Sequence, residues 1–251
     1  MANAAGRLAG RQAQQPSIAA QDDGGFVIVY ESDPISGDSD PRFLRFDAEG
    51  ILQDNGNISS SVNEQVRPSV SELDTGFVSV WVAFGSTGDI QGRLIDATGT
   101  PVGGVFAVNA DLAGTQTDPD VVELTSGRFV VVWEDQSGPE AAVGRVFEAA
   151  RTPVGSDFLI ANTSGNTNTT PKVTALTNGG FVVTYADGST SFPEVDLGIR
   201  ARIYGPDGVA FGSEFIVASD LAGDEFNADV TALPNGGFFV AWVGTSGAAS
   251  I

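Results

Sequence analysis

Short apolar runs recur along the chain at a nearly constant interval. Five of these runs begin with a phenylalanine and end with a tryptophan or a tyrosine, and their phenylalanines stand 51, 52, 52 and 57 residues apart. The five are Phe26, Phe77, Phe129, Phe181 and Phe238. Self-similarity at a fixed period of this size predicts a tandem array of one structural unit. The chain holds four complete copies and a half copy, each of roughly 52 residues.

Each complete copy contains four short segments that are typical of β-strands. The first follows a proline, as in residues 68–73 (PSVSEL), and the second is the run that begins with phenylalanine. A turn such as Asn178-Gly179-Gly180 joins them and supplies the positive φ angles that a hairpin needs. Strand three resembles residues 92–96 (GRLID), and strand four is weakest in the first copy, near Ile58. No sustained 3.6-residue period occurs, so we predict essentially no helix.

The second strand is apolar on both faces, as in residues 129–133 (FVVVW). A strand with one wet face would alternate with polar residues, so this pattern indicates a sheet packed between two neighbours. The predicted fold class is therefore all-β, a β-propeller-like array of four-stranded antiparallel blades. An open β-solenoid stack of the same sheets is the alternative.

The repeat sets the predicted domain organisation. Residues 1–15 resemble a connector between copies, and the last copy stops after its second strand. This half copy suggests a fragment of a longer array, whose further repeats would be partners of this chain. The predicted repeats are residues 16–67, 68–118, 119–170 and 171–227, with a partial fifth repeat at 228–251.

The composition is strongly acidic, with 32 Asp and Glu residues against 12 Lys and Arg, and a net charge of −20. Nucleic acid and anionic membrane surfaces would be repelled, so we expect neither as a partner. No histidine or cysteine is present, which excludes Cys/His catalysis and thiolate zinc sites. No apolar run is long enough for membrane insertion. The first ten residues lack the apolar core of a signal peptide, so we expect either secretion without a cleaved leader or a natural N-terminus that lies elsewhere.

The repeat carries a recognisable consensus. It has the form P-x-V-x-x-L-x-N-G-G-F-V-V-x-W, followed by G-R-x-x-D-x-x-G-x-x-V-G-x-x-F-x-V-N, and is clearest in residues 92–109 and 174–185. This pattern resembles tandem repeats of large secreted bacterial hemolysin-type calcium-binding exoproteins and RTX-like adhesins. The resemblance implies an extracellular location and an association with calcium. The G-G-x-G-x-D nonapeptide of that family is missing here, so the resemblance assigns calcium to no particular residue.

Two sets of candidate site residues lie near the variable loops between strands two and three. Asp33, Asp38 and Asp40 offer closely spaced carboxylate oxygens, which makes Ca²⁺ the candidate ion, with a solvated acidic loop as the alternative. Trp81 and Trp133 end the second strand and could stack on a sugar ring, with packing between blades as the alternative.

The sequence shows no pair of carboxylates set apart from the general acidity and no catalytic motif. We therefore expect a non-catalytic, structural, adhesive or ligand-binding segment of a larger secreted protein, with a glycan or cell-surface ligand. A carbohydrate-binding lectin-like propeller and a fragment of a propeller hydrolase are the alternatives, together with a purely architectural spacer.

Overall fold

The computed structural model describes residues 12–33, 39–85, 87–162, 169–188, 198–218 and 223–245. These residues form 18 β-strands and no α-helix, which confirms the all-β prediction over the described part of the chain. None of the described residues forms a helix long and apolar enough to cross a membrane. The chain divides into two compact units, Met1–Leu112 and Ala113–Ile251.

The first unit contains two four-stranded antiparallel sheets, with strand orders β1-β2-β3-β4 and β5-β6-β7-β8. Each sheet is one copy of the repeat, and we call it a blade. The strands of the two blades are β1 (Gln12–Ala20), β2 (Phe26–Asp33), β3 (Asp40–Phe46), β4 (Leu52–Asn57), β5 (Gln65–Leu73), β6 (Gly76–Phe84), β7 (Gly88–Asp96) and β8 (Pro101–Ala107).

The second unit contains two further four-stranded blades and a two-stranded sheet, as far as its described residues show. Blade 3 is β9-β10-β11-β12, blade 4 is β13-β14-β15-β16, and blade 5 is β17-β18. Their strands are β9 (Gln116–Glu123), β10 (Phe129–Asp135), β11 (Ala141–Phe147), β12 (Phe158–Asn162), β13 (Lys172–Ala175), β14 (Phe181–Asp187), β15 (Gly198–Tyr204), β16 (Phe215–Ile216), β17 (Glu225–Ala232) and β18 (Phe238–Gly244).

Each predicted strand is found, including the weak fourth strand of the first copy. That strand, β4, ends one residue before Ile58, which is buried and donates its backbone N–H to the Pro41 carbonyl at 2.9 Å. Tight turns join the first two strands of a blade, and some require glycine. Gly76 has a φ of 143°, and a side chain there would overlap the Ile95 carbonyl oxygen.

A residue with positive φ recurs at the start of the first strand of every blade. These residues are Gln15 (44°), Arg67 (55°), Asp118 (50°), Thr170 (34°) and Asn227 (53°). Four of them directly precede the proline that marks the repeat in the sequence. In blades 1, 2, 3 and 5 the pairing register shifts at this point, which is a β-bulge. Because the strand continues through the bulge, these sheets begin three or four residues before the boundary chosen from the sequence.

Neighbouring blades within a unit contribute equivalent residues to a shared apolar cluster. Three residues after the bulge position, the first strand carries a valine that shares a core cluster with the second strand of the preceding blade. The pairs are Val70 with Val27, Val173 with Val130, and Val230 with Val182. All six side chains are buried, so the repeat places the same two positions in the apolar core between neighbouring blades.

Candidate functional site

The buried charged residues cluster at one end of the blades. We call it the loop end, where strand two leads into strand three and where the preceding connector enters strand one. Among side chains that the structure describes, the buried acidic and basic ones all lie at loop ends. They are Glu31, Glu134, Asp187, Arg200 and Glu225. Burying charge is costly unless partners compensate, so this concentration marks the loop end as the candidate functional region.

The Arg200 guanidinium of blade 4 holds two carboxylates. Its Nε lies 2.5 Å from Asp187 Oδ2, and its Nη1 lies 3.1 Å from Glu214 Oε1. The backbone register explains the meeting, because β14 and β15 pair Tyr185 with Arg200 and Asp187 with Gly198. Glu214 comes from the turn that enters the short strand β16. The Arg200 and Asp187 side chains are 7% and 8% exposed, whereas that of Glu214 is 39% exposed.

Tyr185 completes this group, which we call the Arg200 cluster. Its hydroxyl donates to Glu214 Oε2 at 2.5 Å. Burial raises the pKa of the Tyr185 phenol well above its usual range, and the neighbouring Glu214 carboxylate reinforces the shift. The phenol therefore stays protonated and remains a hydrogen-bond donor to Glu214 at neutral pH.

Glu134 of blade 3 is buried but fully engaged by protein groups. Its Oε1 accepts from Gln136 Nε2 at 2.5 Å, and its Oε2 accepts from Thr169 Oγ1 at 3.1 Å and from the Thr170 N–H at 3.3 Å. In the first unit Glu31 accepts from the Arg67 N–H at 3.1 Å. Both carboxylates thus bond the positive-φ residue at the start of the following blade, which is a structural role.

A buried polar residue also recurs two positions before the bulge, at the start of strand one. Gln65, Gln116 and Glu225 occupy this place in blades 2, 3 and 5. Gln116 Nε2 donates to Asp135 Oδ1 at 3.1 Å, and Gln65 Nε2 donates to Asp40 Oδ1 at 3.3 Å. These contacts tie strand one to the residues at the loop end of strands two and three.

The predicted calcium ligands are only partly visible. Asp38 and the Asp33 side chain lie outside the described residues. Asp40 is described, and its Oδ1 accepts from the Ser61 N–H and from Gln65 Nε2, each at 3.3 Å. Over the described ranges no group of three or more acidic residues is arranged to hold a metal ion.

The two predicted sugar platforms are core side chains. Trp81 is 0% exposed and Trp133 is 1% exposed, and Trp81 belongs to the cluster that contains Val27 and Val70. A ring in this position has no face open to a ligand, so the packing alternative describes both residues.

Comparison with solved structures places this architecture among the β-propellers. The chain resembles the endo-arabinase of Bacteroides thetaiotaomicron with a TM-score of 0.59 at 11% identity, over 91% of this chain and 88% of that one. It resembles the α-L-arabinanase of Penicillium chrysogenum, solved with arabinobiose, with a TM-score of 0.61 at 15% identity, over 91% and 74% of the two chains. For the α-L-arabinofuranosidase of Fusarium graminearum, also solved with arabinobiose, the TM-score is 0.61 at 14% identity, over 92% and 74%.

These likenesses confirm the predicted fold class, a β-propeller-like array of four-stranded blades, and set aside the solenoid alternative. No protein-family model matches the sequence, and no curated protein matches it. At such low identity a shared structure establishes the fold and leaves activity to be tested on the site.

The resemblance to RTX-like exoprotein repeats was wrong, because the structural neighbours are arabinanases and arabinofuranosidases. The adhesin and calcium-binding assignments that this resemblance implied are not supported either. The motif misled for a physical reason. A glycine turn followed by a strand that is apolar on both faces is what any stacked four-stranded blade requires, so the consensus reports packing more than ancestry.

The prediction that the chain is not an enzyme was also wrong as a conclusion from the sequence, since its structural neighbours are glycoside hydrolases. That prediction was based on the absence, in the sequence, of a carboxylate pair that could be distinguished from the many other acidic residues. Asp187 and Glu214 are such a pair, but they lie 27 positions apart among 32 acidic residues and meet only through Arg200. No spacing rule along the chain would have selected them.

Proposed function

We propose that the chain is part of a propeller glycoside hydrolase acting on arabinose-containing glycans, with the Arg200 cluster as its carboxylate site. One observation carries the proposal. Two carboxylates, Asp187 and Glu214, are held on one buried guanidinium at the loop end of a blade. The fold is shared with enzymes named as arabinanases and arabinofuranosidases, two of them solved with arabinobiose.

Glycoside hydrolysis generally needs two carboxyl groups that flank the scissile bond. One protonates the leaving oxygen, and the other activates a water molecule or attacks the anomeric carbon, so that water adds across the bond. Arg200 fixes the spacing of Asp187 and Glu214, because they bind its Nε and Nη1 respectively. A planar guanidinium orients carboxylates better than a flexible ammonium does.

The different exposure of the two carboxylates suggests a different role for each. Glu214 is the more accessible of the two, so we assign it the contact with the sugar. The Tyr185 hydroxyl and Arg200 hold its two oxygens in place. Asp187 lies deeper, where it serves as the second carboxylate and as the counter-charge that keeps Arg200 in position.

The overall charge fits a neutral substrate. At a net charge of −20 the protein would repel acidic polysaccharides, whereas a neutral arabinan meets no such barrier. The proposal includes an extracellular site of action, because a polymeric glycan is degraded where it is found, outside the cell.

The test is hydrolysis by the purified chain. Reducing-sugar release is measured on linear arabinan and on arabino-oligosaccharides, and calorimetry measures arabinobiose binding. We expect wild-type activity that falls by about 10²–10⁴-fold in Glu214→Gln, the range usual for loss of an acid–base group. The Asp187→Asn change should also lower kcat.

The matched control is Asp157→Asn, which alters a comparable ion pair, Arg145 Nε to Asp157 Oδ1 at 3.3 Å, in blade 3. This variant should keep full activity. Binding of arabinobiose without hydrolysis would overturn the enzymatic proposal in favour of a glycan-binding propeller. Two results would overturn the site itself. One is a folded wild type that neither binds nor hydrolyses these glycans, and the other is full activity in Glu214→Gln.

A further inference from the structure

Blades 3 and 4 carry an arginine and a carboxylate at equivalent places of their third and fourth strands. Continuing the register of β11 and β12 by one residue places Arg145 opposite Asp157. Continuing the register of β15 and β16 in the same way places Arg202 opposite Glu214. Residues directly opposite each other in an antiparallel pair project from the same face of the sheet and interact. The repeat therefore offers each carboxylate the arginine that faces it.

The two arginines also have matched surroundings. The guanidinium carbon of Arg145 lies 5.6 Å from the centre of the Phe147 ring, and that of Arg202 lies 5.7 Å from the centre of the Tyr204 ring. Each aromatic residue stands two positions after its arginine on the same strand. A difference between the two copies therefore has to come from the carboxylate.

The two carboxylates bind different arginines of their blades. Asp157 Oδ1 lies 3.3 Å from Arg145 Nε, so this carboxylate binds the arginine opposite it. Glu214 instead binds Arg200, which stands two residues before the opposite arginine on β15, and it also accepts from the Tyr185 hydroxyl. Blade 4 thus departs from the pairing that blade 3 shows.

The departure leaves Arg202 without the carboxylate that the register places opposite it. Its Nε is buried and makes no hydrogen bond to the residues that the structure describes. Directly opposite residues are about 4.5–5.5 Å apart across two strands, and diagonal neighbours are about 7–8 Å apart. Glutamate is one methylene longer than aspartate, so Glu214 can reach the diagonal Arg200. The nearer Arg202 is then within its reach as well.

We propose that the Glu214 carboxylate has two positions, the observed one on Arg200 and a second one on Arg202, which makes Arg202 a positioning residue. The inference rests on the proposed function, because it describes how Glu214 reaches the sugar. In the observed position both oxygens of Glu214 are bonded, Oε1 by Arg200 Nη1 and Oε2 by the Tyr185 hydroxyl. On Arg202 Nε one oxygen is engaged, as in the ion pair of blade 3, and the other is free to contact the sugar.

Sugar binding drives the exchange between the two positions. The move of Glu214 releases the Tyr185 hydroxyl and Arg200 Nη1, and a hydroxyl group of the sugar can accept from both. A ligand that binds only one of two states shifts the protein toward that state. Asp187 stays on Arg200 Nε and continues to balance the guanidinium charge. All of these residues belong to blade 4, so the exchange needs no movement of one blade against another.

The side-chain Nε–H signals of the arginines in NMR spectra test the second position without any substrate. Glu214→Asp shortens the side chain to the length found in blade 3, so the carboxylate should leave Arg200 for Arg202. We expect the signals of both arginines to shift in this variant, while the Arg145 signal stays where it is. An Arg202 signal that is the same in Glu214→Asp and in the wild type would overturn the second position.

Arabinobiose then tests the coupling to sugar binding. Added to the wild type, it should shift the Arg202 signal in the same direction as Glu214→Asp does. Bound arabinobiose that leaves this signal unchanged would overturn the exchange while the proposed function stands. If arabinobiose is neither bound nor hydrolysed, the proposed function and the coupling both fail, and Glu214→Asp still decides whether the second position exists.

Arg202→Gln and Arg145→Gln are matched variants that separate positioning from stability. Arg145→Gln breaks an observed ion pair, so its urea midpoint should fall while its kcat/KM for arabino-oligosaccharides stays at the wild-type value. Arg202→Gln leaves the pair between Glu214 and Arg200 intact, so its urea midpoint should fall less, whereas kcat/KM should fall by at least about tenfold. Arg202→Lys keeps the charge and should recover part of the activity. An Arg202→Gln protein with full kcat/KM, or one that loses as much stability as Arg145→Gln, would overturn the positioning role.

Discussion

The Glu134 carboxylate accepts a hydrogen bond from the backbone N–H of Thr170, 3.3 Å away, at the positive-φ position where blade 4 begins. Glu31 makes the equivalent bond to the Arg67 N–H at the start of blade 2. A second bond supports each junction, from the Val173 N–H to Asp120 Oδ2 and from the Val70 N–H to Ser17 Oγ. Blades 1 and 2, and blades 3 and 4, are therefore joined by the same pair of polar contacts.

Removing the Glu134 side chain should destabilise the second unit. Glu134→Ala deletes three hydrogen bonds and leaves the Thr170 N–H and the Thr169 hydroxyl without their acceptor, at an expected cost of about 2–4 kcal/mol. Urea unfolding measures this loss. Glu134→Gln should cost less, because its amide oxygen still accepts, and the exposed Glu49→Ala should change nothing measurable. A Glu134→Ala protein as stable as the wild type would contradict a structural role.

Thr170 holds a backbone conformation that its side chain opposes. Its φ is 34°, and its Oγ1 is buried with no hydrogen-bond partner in the structure. A β-branched residue in this region carries strain of about 1–3 kcal/mol, so Thr170→Gly should stabilise the protein by about 1 kcal/mol after the entropic cost of glycine. Asn227→Gly is the matched control, since asparagine tolerates φ of 53° and should gain little. Equal gains at both positions would exclude strain as the cause.

The strands could be predicted because they are set by local patterns. The FVVVW run from Phe129 to Trp133 requires cover on both faces, and Asn178-Gly179-Gly180 requires a hairpin turn. Both were found where expected, as β10 and as the turn that ends at β14. The positive φ before each proline could not be predicted, because the residues that adopt it differ in type, and at Arg67 and Thr170 the backbone N–H bonds a carboxylate of another blade that lies far away in the sequence.

The candidate site could not be predicted because its parts are non-local. Arg200 meets Asp187 across two paired strands and Glu214 across a turn, and each distance depends on register. The same limit explains the error about Trp81 and Trp133. The sequence places them at the end of strand two, but which face of that strand another blade covers is a property of the assembled sheet.

The burial of an ion pair should determine how far the free energy of unfolding falls when the pair is removed. Arg200→Ala removes the cation that Asp187 and Glu214 share and takes from the buried Asp187 carboxylate its Arg200 partner, so we expect the free energy of unfolding to fall by about 3–5 kcal/mol. Arg128 pairs with Glu148 at 2.9 Å, but those side chains are 28% and 46% exposed. Water screens this pair, so Arg128→Ala should cost less than about 1 kcal/mol. Urea midpoints of the two variants compare them directly, and equal losses would show that burial is not the deciding factor.

Two buried tyrosines should make the protein sensitive to alkali. Burial raises the pKa of Tyr204 to about 12 and raises that of Tyr185 further. In the unfolded chain both phenols lose their proton near pH 10, so above that pH the unfolded state binds fewer protons than the native state. The free energy of unfolding should then fall as pH rises, by up to about 1.4 kcal/mol per pH unit for each group.

Urea midpoints measured at pH values below and above about 10 test this expectation. Tyr185→Phe and Tyr204→Phe should each flatten the decline above that pH, since phenylalanine has no proton to lose. A decline equally steep in both variants would mean that other groups cause the alkaline loss. The contribution of Tyr204 should end near pH 12, where the native phenol itself ionises.

Tryptophan fluorescence tests the burial of the repeat's aromatic position. The chain has three tryptophans, of which Trp81 and Trp133 are buried and Trp242 is partly exposed on the two-stranded blade. Iodide, which does not enter a packed core, should therefore quench about one third of the native emission and all of it after unfolding. Trp242→Phe should leave an emission that iodide barely quenches. If Trp81 and Trp133 were instead open to a sugar ring, that variant would remain strongly quenched, and arabinobiose would protect it. Because both indoles are buried by neighbouring strands, we expect no strong quenching of this variant and no protection by arabinobiose. The close packing that excludes iodide also excludes a sugar.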